Sequence, residues 1–148
     1  MIRKAILILG IMVAAPASAQ LPFLTKRGPQ PAVPVQNPID VLRADFAAQS
    51  GGTTVYFTPG SSVLSPQAKL VIAAQSAWLR QHPDVAVRIE GRGDSIDTRD
   101  HSLAVGARRA QEVRDYLLLL GIPAAQVTAM SWGKERPGAP SATTTIVQ

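Results

Sequence analysis

The stretch Glu90–Ala110, EGRGDSIDTRDHSLAVGARRA, decides the fold, because it runs from the end of a strand through a polar loop into a helix. Just before it, Val85, Val87 and Ile89 alternate with Ala86, Arg88 and Glu90. That is the period-two pattern of a half-buried strand. A loop is expected from Gly91 to about Asp100, and a helix from about His101 to Leu120. Gly106, Ala110, Val113, Leu117 and Leu120 keep the spacing that lines one helix face. Gly121 is the expected C-cap, and Pro123 bars extension.

Working outward, the elements alternate. Thr53 to Phe57 is rich in β-formers and reads as a strand. Pro59 to Ser62 makes a turn. Ser65 followed by Pro66 is a helix start, a hydroxyl cap and then a proline whose missing donor does no harm there. That helix is expected to reach Gln81 or His82, with Ala68, Val71, Ile72, Trp78 and Leu79 inward. Leu64 is placed to staple onto its first turns. Val127 to Trp132 reads as a third strand and Thr143 to Val147 as a fourth. The order β-α-β-α-β-β predicts an α+β fold, a mixed sheet with two main helices packed on one face.

The N-terminal third reads differently. Arg3 and Lys4, the apolar run Ala5 to Ala15 and Ala17-Ser18-Ala19 have the form of a cleaved secretory signal over residues 1–19. The run is too short for a bilayer span, which takes ~20 residues. Pro22, Pro29, Pro31, Pro34 and Pro38 then mark an extended, polyproline-like linker over residues 20–38. Residues 39–52 read as a short helix and a Gly-rich connector, with Asn37 as cap and Pro38 at the first helical position. The domain proper is expected over 53–148.

Composition narrows the chemistry. The chain has no cysteine, which removes disulfides, Cys-bound metal, thiol catalysis and lipid attachment at that residue. Its two histidines argue against a multi-His metal site, and no cofactor is expected. Aromatics are only 5% of residues, so aliphatic side chains must fill the core. The formal charge of +5 falls to +3 once Arg3 and Lys4 leave with the signal. Export also argues against nucleic acid as a partner.

The Glu90–Ala110 stretch resembles the OmpA-like peptidoglycan-binding domain, most nearly in the form carried by peptidoglycan-associated lipoproteins. That form reads E-G-H-A-D-x-x-G-T-x-E-Y-N-x-x-L-G-x-R-R-A. The resemblance extends to Val55-Tyr56-Phe57, Ala77-Trp78-Leu79, His82-Pro83-Asp84-Val85, Asp115-Tyr116-Leu117 and Ser131-Trp132-Gly133-Lys134-Glu135-Arg136-Pro137. It covers about residues 53–137.

The resemblance implies a non-catalytic periplasmic module that binds the meso-diaminopimelate stem peptide of peptidoglycan. Diaminopimelate carries an ammonium and a carboxylate on one carbon, so its receptor needs an anion and a cation held close together. By the resemblance, Asp94 takes the ammonium and Arg109 the carboxylate, the latter with its planar fork. Ser102 and Val105 fall on the other pocket positions. A helix start nearby offers free N–H groups to a carboxylate. The alternative for Asp94 and Arg109 is an internal salt bridge, or side chains that are simply solvated.

Several positions depart from the pattern. His101 and Ser102 stand where the family has Tyr and Asn, Arg92 where it has His or Asn, Asp97 where it has Gly, and Val105 where it has Leu. An acid or amide that some members carry in the first loop falls near Gly60. The Arg-rich segment before the last strand is missing. Each loss removes a contact worth ~1 kcal/mol net, and several together reach tens to hundreds-fold in affinity. The second reading is therefore an envelope interaction domain, with a Tol-type partner by family analogy and weakened wall binding. Asp94, Asp97, Asp100 and His101 are spaced like a small oxygen-rich metal site but read instead as a polar loop with capping acids. His82 and His101 lie near no G-x-S-x-G elbow, so a hydrolase is not expected.

Overall fold

Each main helix begins where a side-chain oxygen can take up a free backbone N–H. In this computed structural model, which describes residues 37–147, Asn37 caps α1 (Pro38–Gln49) by accepting from Ile39 N. Ser65 caps α2 (Pro66–Gln81) by accepting from Ala68 N at 3.1 Å. Thr98 caps α3 (Arg99–Leu119) by accepting from His101 N. Such caps contribute ~1 kcal/mol each. The expected signal, and the linker up to residue 36, lie outside the described residues.

Two expectations are corrected. There are three helices rather than two, together with a short 3-10 turn at Ala124–Gln126. The third helix, α1, read in the sequence as a short helix apart from the two main ones, is fastened by packing. Phe46 is 1% exposed and meets Trp78 edge-on at 5.0 Å between ring centroids. Trp78 Nε1 donates to Asp45 Oδ2 at 2.8 Å, and Arg43 donates to the carbonyl of Ile146. A pattern as weakly periodic as Ile39–Gln49 does not reveal that one buried aromatic decides its docking. The second correction is that α3 starts at Arg99, two residues before His101. Thr98 is the better cap, and it leaves Asp100 in the first turn, where a negative charge suits the helix dipole.

The strands are β1 (Thr54–Tyr56), β2 (Ala86–Arg92), β3 (Val127–Gly133) and β4 (Ser141–Val147). They form one mixed sheet in the order β1-β4-β2-β3. β4 runs antiparallel to both neighbours, whereas β2 and β3 are parallel with α3 as the crossover. Register puts Val55, Ala142, Ile146, Thr144, Val87 and Ile89 on one face. These residues are buried, and all but Thr144 join the core with Ile72, Leu79, Ala110, Val113 and Leu117. Fully burying a side chain of this size stabilises by roughly 1.5–3 kcal/mol. Thr144 instead gives its hydroxyl to Gln75 of α2 at 2.9 Å. The other sheet face carries Arg88, Glu90, Thr143 and the 65% exposed Tyr56.

One close approach positions everything that follows. A Cβ at Gly91 would overlap the backbone carbonyl of Gly106, so β2 and α3 touch main chain to main chain. Side chains at the next turns of α3 are thereby brought onto the loop that leaves β2.

Candidate functional site

Ser102, Val105 and Arg109 lie at i, i+3 and i+7 on α3 and so share one face. All three are buried, Arg109 completely. Asp94 stands two residues beyond the end of β2 and is 6% exposed. Arg109 Nη2 and Asp94 Oδ1 are 2.9 Å apart. The sequence-predicted pair is therefore brought together, in the form of an internal ion pair.

The pair is heavily hydrogen-bonded. Arg109 Nε donates to the carbonyl of Ser61 and Nη1 to that of Arg92, each at 2.9 Å. Nη2 also reaches the carbonyl of Thr58 at 3.4 Å. The guanidinium carbon lies 5.5 Å from the centroid of Phe57. The second oxygen of Asp94 accepts from Gly60 N at 2.7 Å. Two charges out of water are tolerated only when the remaining donors and acceptors are satisfied, and here carbonyls and an amide do that. Ser102 Oγ donates to the carbonyl of Asp94 at 3.1 Å and holds the loop against α3. Val105 is 6% exposed beside these groups along the helix.

The partners at Thr58, Gly60 and Ser61 were not legible as site residues. They act through main-chain atoms, which carry no side-chain signature. The only available signal was the Pro59-Gly60 turn. Gly60, read as a loss because it has no side chain, contributes its N–H instead.

The loop between Asp94 and Thr98 is braced from the segment after β3. Lys134 Nζ donates to the carbonyl of Asp97 at 2.7 Å, and Arg99 pairs with Glu135 at 2.9 Å. Glu90 Oε2 pairs with Arg136 at 2.9 Å and Oε1 with Arg88 at 3.0 Å. The Arg136 guanidinium also stacks on Trp132, 3.8 Å from its centroid. The motif Ser131–Pro137 thus acts as a clamp on the open sheet face and the site loop.

The four residues with metal-site spacing do not converge. Asp94 faces Arg109 and Gly60, Asp97 lies 3.6 Å from His101 Nε2, and Asp100 is exposed. Among the described residues no three His, Asp or Glu side chains gather as metal ligands. A surface groove of about 510 Å³ lies elsewhere, between α2 and α3, lined by Val63, Lys69, Glu112, Tyr116 and Leu119.

A mixed sheet with helices on one face, and a charged pair sealed where β2 passes into α3, defines a small α+β domain of the OmpA-like class. The sequence model of the OmpA family matches residues 56–147, more than half of the chain, and the protein belongs to that family. It is similar to peptidoglycan-associated lipoproteins from several bacteria. Over 86 residues it is 38% identical to that of Agrobacterium fabrum, covering 58% of this chain and 49% of the relative. Over 99 residues it is 39% identical to that of Pseudomonas aeruginosa, covering 67% of this chain and 58% of the relative. The chain thus spans about half the length of these relatives. The crystal structure of the peptidoglycan-associated lipoprotein from Burkholderia pseudomallei matches with a TM-score of 0.63 at 30% identity, over 66% of this chain and 92% of that one. The C-terminal domain of Helicobacter pylori MotB, at 20% identity and a TM-score of 0.54 over 62% of this chain and 79% of that one, shares the fold alone. Membership of the OmpA family accords with a non-catalytic domain. No helix among the described residues is long and apolar enough to cross a membrane.

Proposed function

We propose that the protein is a non-catalytic, envelope-located peptidoglycan-binding module, and that Asp94 and Arg109 recognise the diaminopimelate centre of the stem peptide. The observation that carries this reading is the juxtaposition of one carboxylate and one guanidinium at 2.9 Å, with Ser102 holding the intervening loop. An ammonium suits Asp94, and a carboxylate suits the fork of Arg109. The name of the relatives, peptidoglycan-associated lipoprotein, supports the same class of ligand. Export by the N-terminal signal would put the module in the periplasm, with an envelope partner to hold it near the wall or outer membrane.

The test is co-sedimentation of the purified protein with sacculi. Diaminopimelate-type sacculi should carry it down. Lysine-type sacculi should not, because lysine lacks the second carboxylate. Asp94→Asn and Arg109→Lys, checked for folding by circular dichroism, should each abolish sedimentation. Equal recovery of wild type and a double variant would remove the site assignment.

One observation favours the second reading, an interaction domain with weakened wall binding. Arg109 has no exposed surface, and its fork is already engaged. Saturable binding of another envelope protein, unchanged by Arg109→Lys and without sacculus binding, would select that reading.

A further inference from the structure

The turn Thr58–Ser61 offers Asp94 and Arg109 a particular set of groups. Gly60 presents an N–H to Asp94 Oδ2, while Ser61 and Thr58 present carbonyl oxygens to Nε and Nη2 of Arg109. One donor on the carboxylate and two acceptors on the guanidinium is the pattern of an amino acid's ammonium and carboxylate. The turn is also the exposed piece of the site. Thr58, Pro59 and Gly60 are exposed, and Val63 just beyond is 75% exposed. The turn's own internal ties are one backbone bond, Ser61 N to Thr58 O, and one side-chain bond, Val63 N to Ser61 Oγ. By contrast, the Arg92 carbonyl on Arg109 belongs to β2, and Ser102 belongs to α3.

We infer that the Thr58–Ser61 turn is an internal surrogate for the ligand, a flap that occupies the site until a zwitterion displaces it. This deepens the proposed function and rests on it. On exchange the ligand's ammonium replaces Gly60 N–H at Asp94 Oδ2. Its carboxylate replaces the Ser61 and Thr58 carbonyls at Arg109. The Arg92 carbonyl and the Ser102 bond stay in place and keep both side chains aimed. The observed affinity is then the intrinsic affinity reduced by the fraction of molecules with the flap open.

The experiment follows the Gly60 amide by NMR hydrogen exchange in the purified protein, titrated with free meso-diaminopimelate. The Gly93 amide, bonded to the Gly133 carbonyl, is the internal control. Two flap variants are compared. Gly60→Pro removes the donor and cannot hold the φ of +73° found there. Pro59→Gly loosens the turn while keeping the donor, and serves if the first variant folds poorly. Saturation should speed Gly60 exchange about tenfold while Gly93 stays protected, and Gly60→Pro should bind about tenfold tighter, as expected for a bond to a charged group. Binding by the flap variant alone would equally support the flap. Binding with the Gly60 amide still protected would overturn the flap and leave the proposed function standing. Absence of binding by wild type and both variants would overturn both.

Discussion

Two charge clusters lie near the end of β2, one in the loop packed against α3 and one on the open sheet face. Asp94 and Arg109 sit on the helix side, with side chains 7% and 0% exposed. Glu90, on the open face, pairs with Arg88 and Arg136, whose side chains are 41% and 47% exposed. The bond lengths are alike, yet the energetics differ because water reaches one set of guanidiniums and not the other. Exposed pairs contribute little, since water and salt screen them. A sealed pair contributes little over an apolar substitute but is costly to break, because the remaining charge is stranded.

The sharpest way to break this comparison is Arg109→Ala. Stranding Asp94 and three carbonyl partners should lower stability by about 3–5 kcal/mol in urea denaturation. A loss below about 1 kcal/mol would show that water reaches the pair. Ser102→Ala removes one buried bond to the Asp94 carbonyl without stranding a charge, and should cost about 1 kcal/mol. Arg136→Ala on the open face leaves Glu90 paired with Arg88, so screening should limit the loss to about 1 kcal/mol or less, diminishing with added salt. A salt-independent loss of the Arg109→Ala size would erase the distinction between the two clusters.

The smallest effect concerns α1. The Trp78 indole N–H, then the Gln49 amide, holds the Asp45 carboxyl below its ordinary value of 3.8, with His82 adding a weaker attraction and burial opposing. A carboxyl lowered in the folded state stabilises above its unfolded pKa and loses that contribution as pH falls through the folded value. Wild type should therefore lose stability more steeply than Asp45→Asn below about pH 4, seen as a shift of the urea midpoint. Parallel curves would mean that the Asp45–Trp78 bond does not help to fasten α1.

Much of this was legible because it is local. Hydroxyl and amide caps at Asn37 and Ser65, alternation over Val85–Glu90 and the apolar stripe of α3 are set by neighbours in the chain. The pair Asp94 and Arg109 was legible by resemblance to a known motif. Thr98 offers a hydroxyl cap of the same kind, but the run Thr98–Ser102 is polar throughout and gives no period to separate the last loop residue from the first helical one. The docking of α1 was not readable, since it depends on a single Phe46 finding Trp78 far along the chain.

What the sequence determined by itself is the order of elements, the approximate position of their ends and the two charged residues of the candidate site. What only the tertiary structure decided is what those charges face. Gly91 lies against Gly106 with no side chain between, and this sets α3 so deep on β2 that Arg109 is sealed among three carbonyls from two separate segments, the end of β2 and the Thr58–Ser61 turn. Main-chain donors and acceptors look the same at every position of a sequence. They acquire a role only when folding points them at a charge.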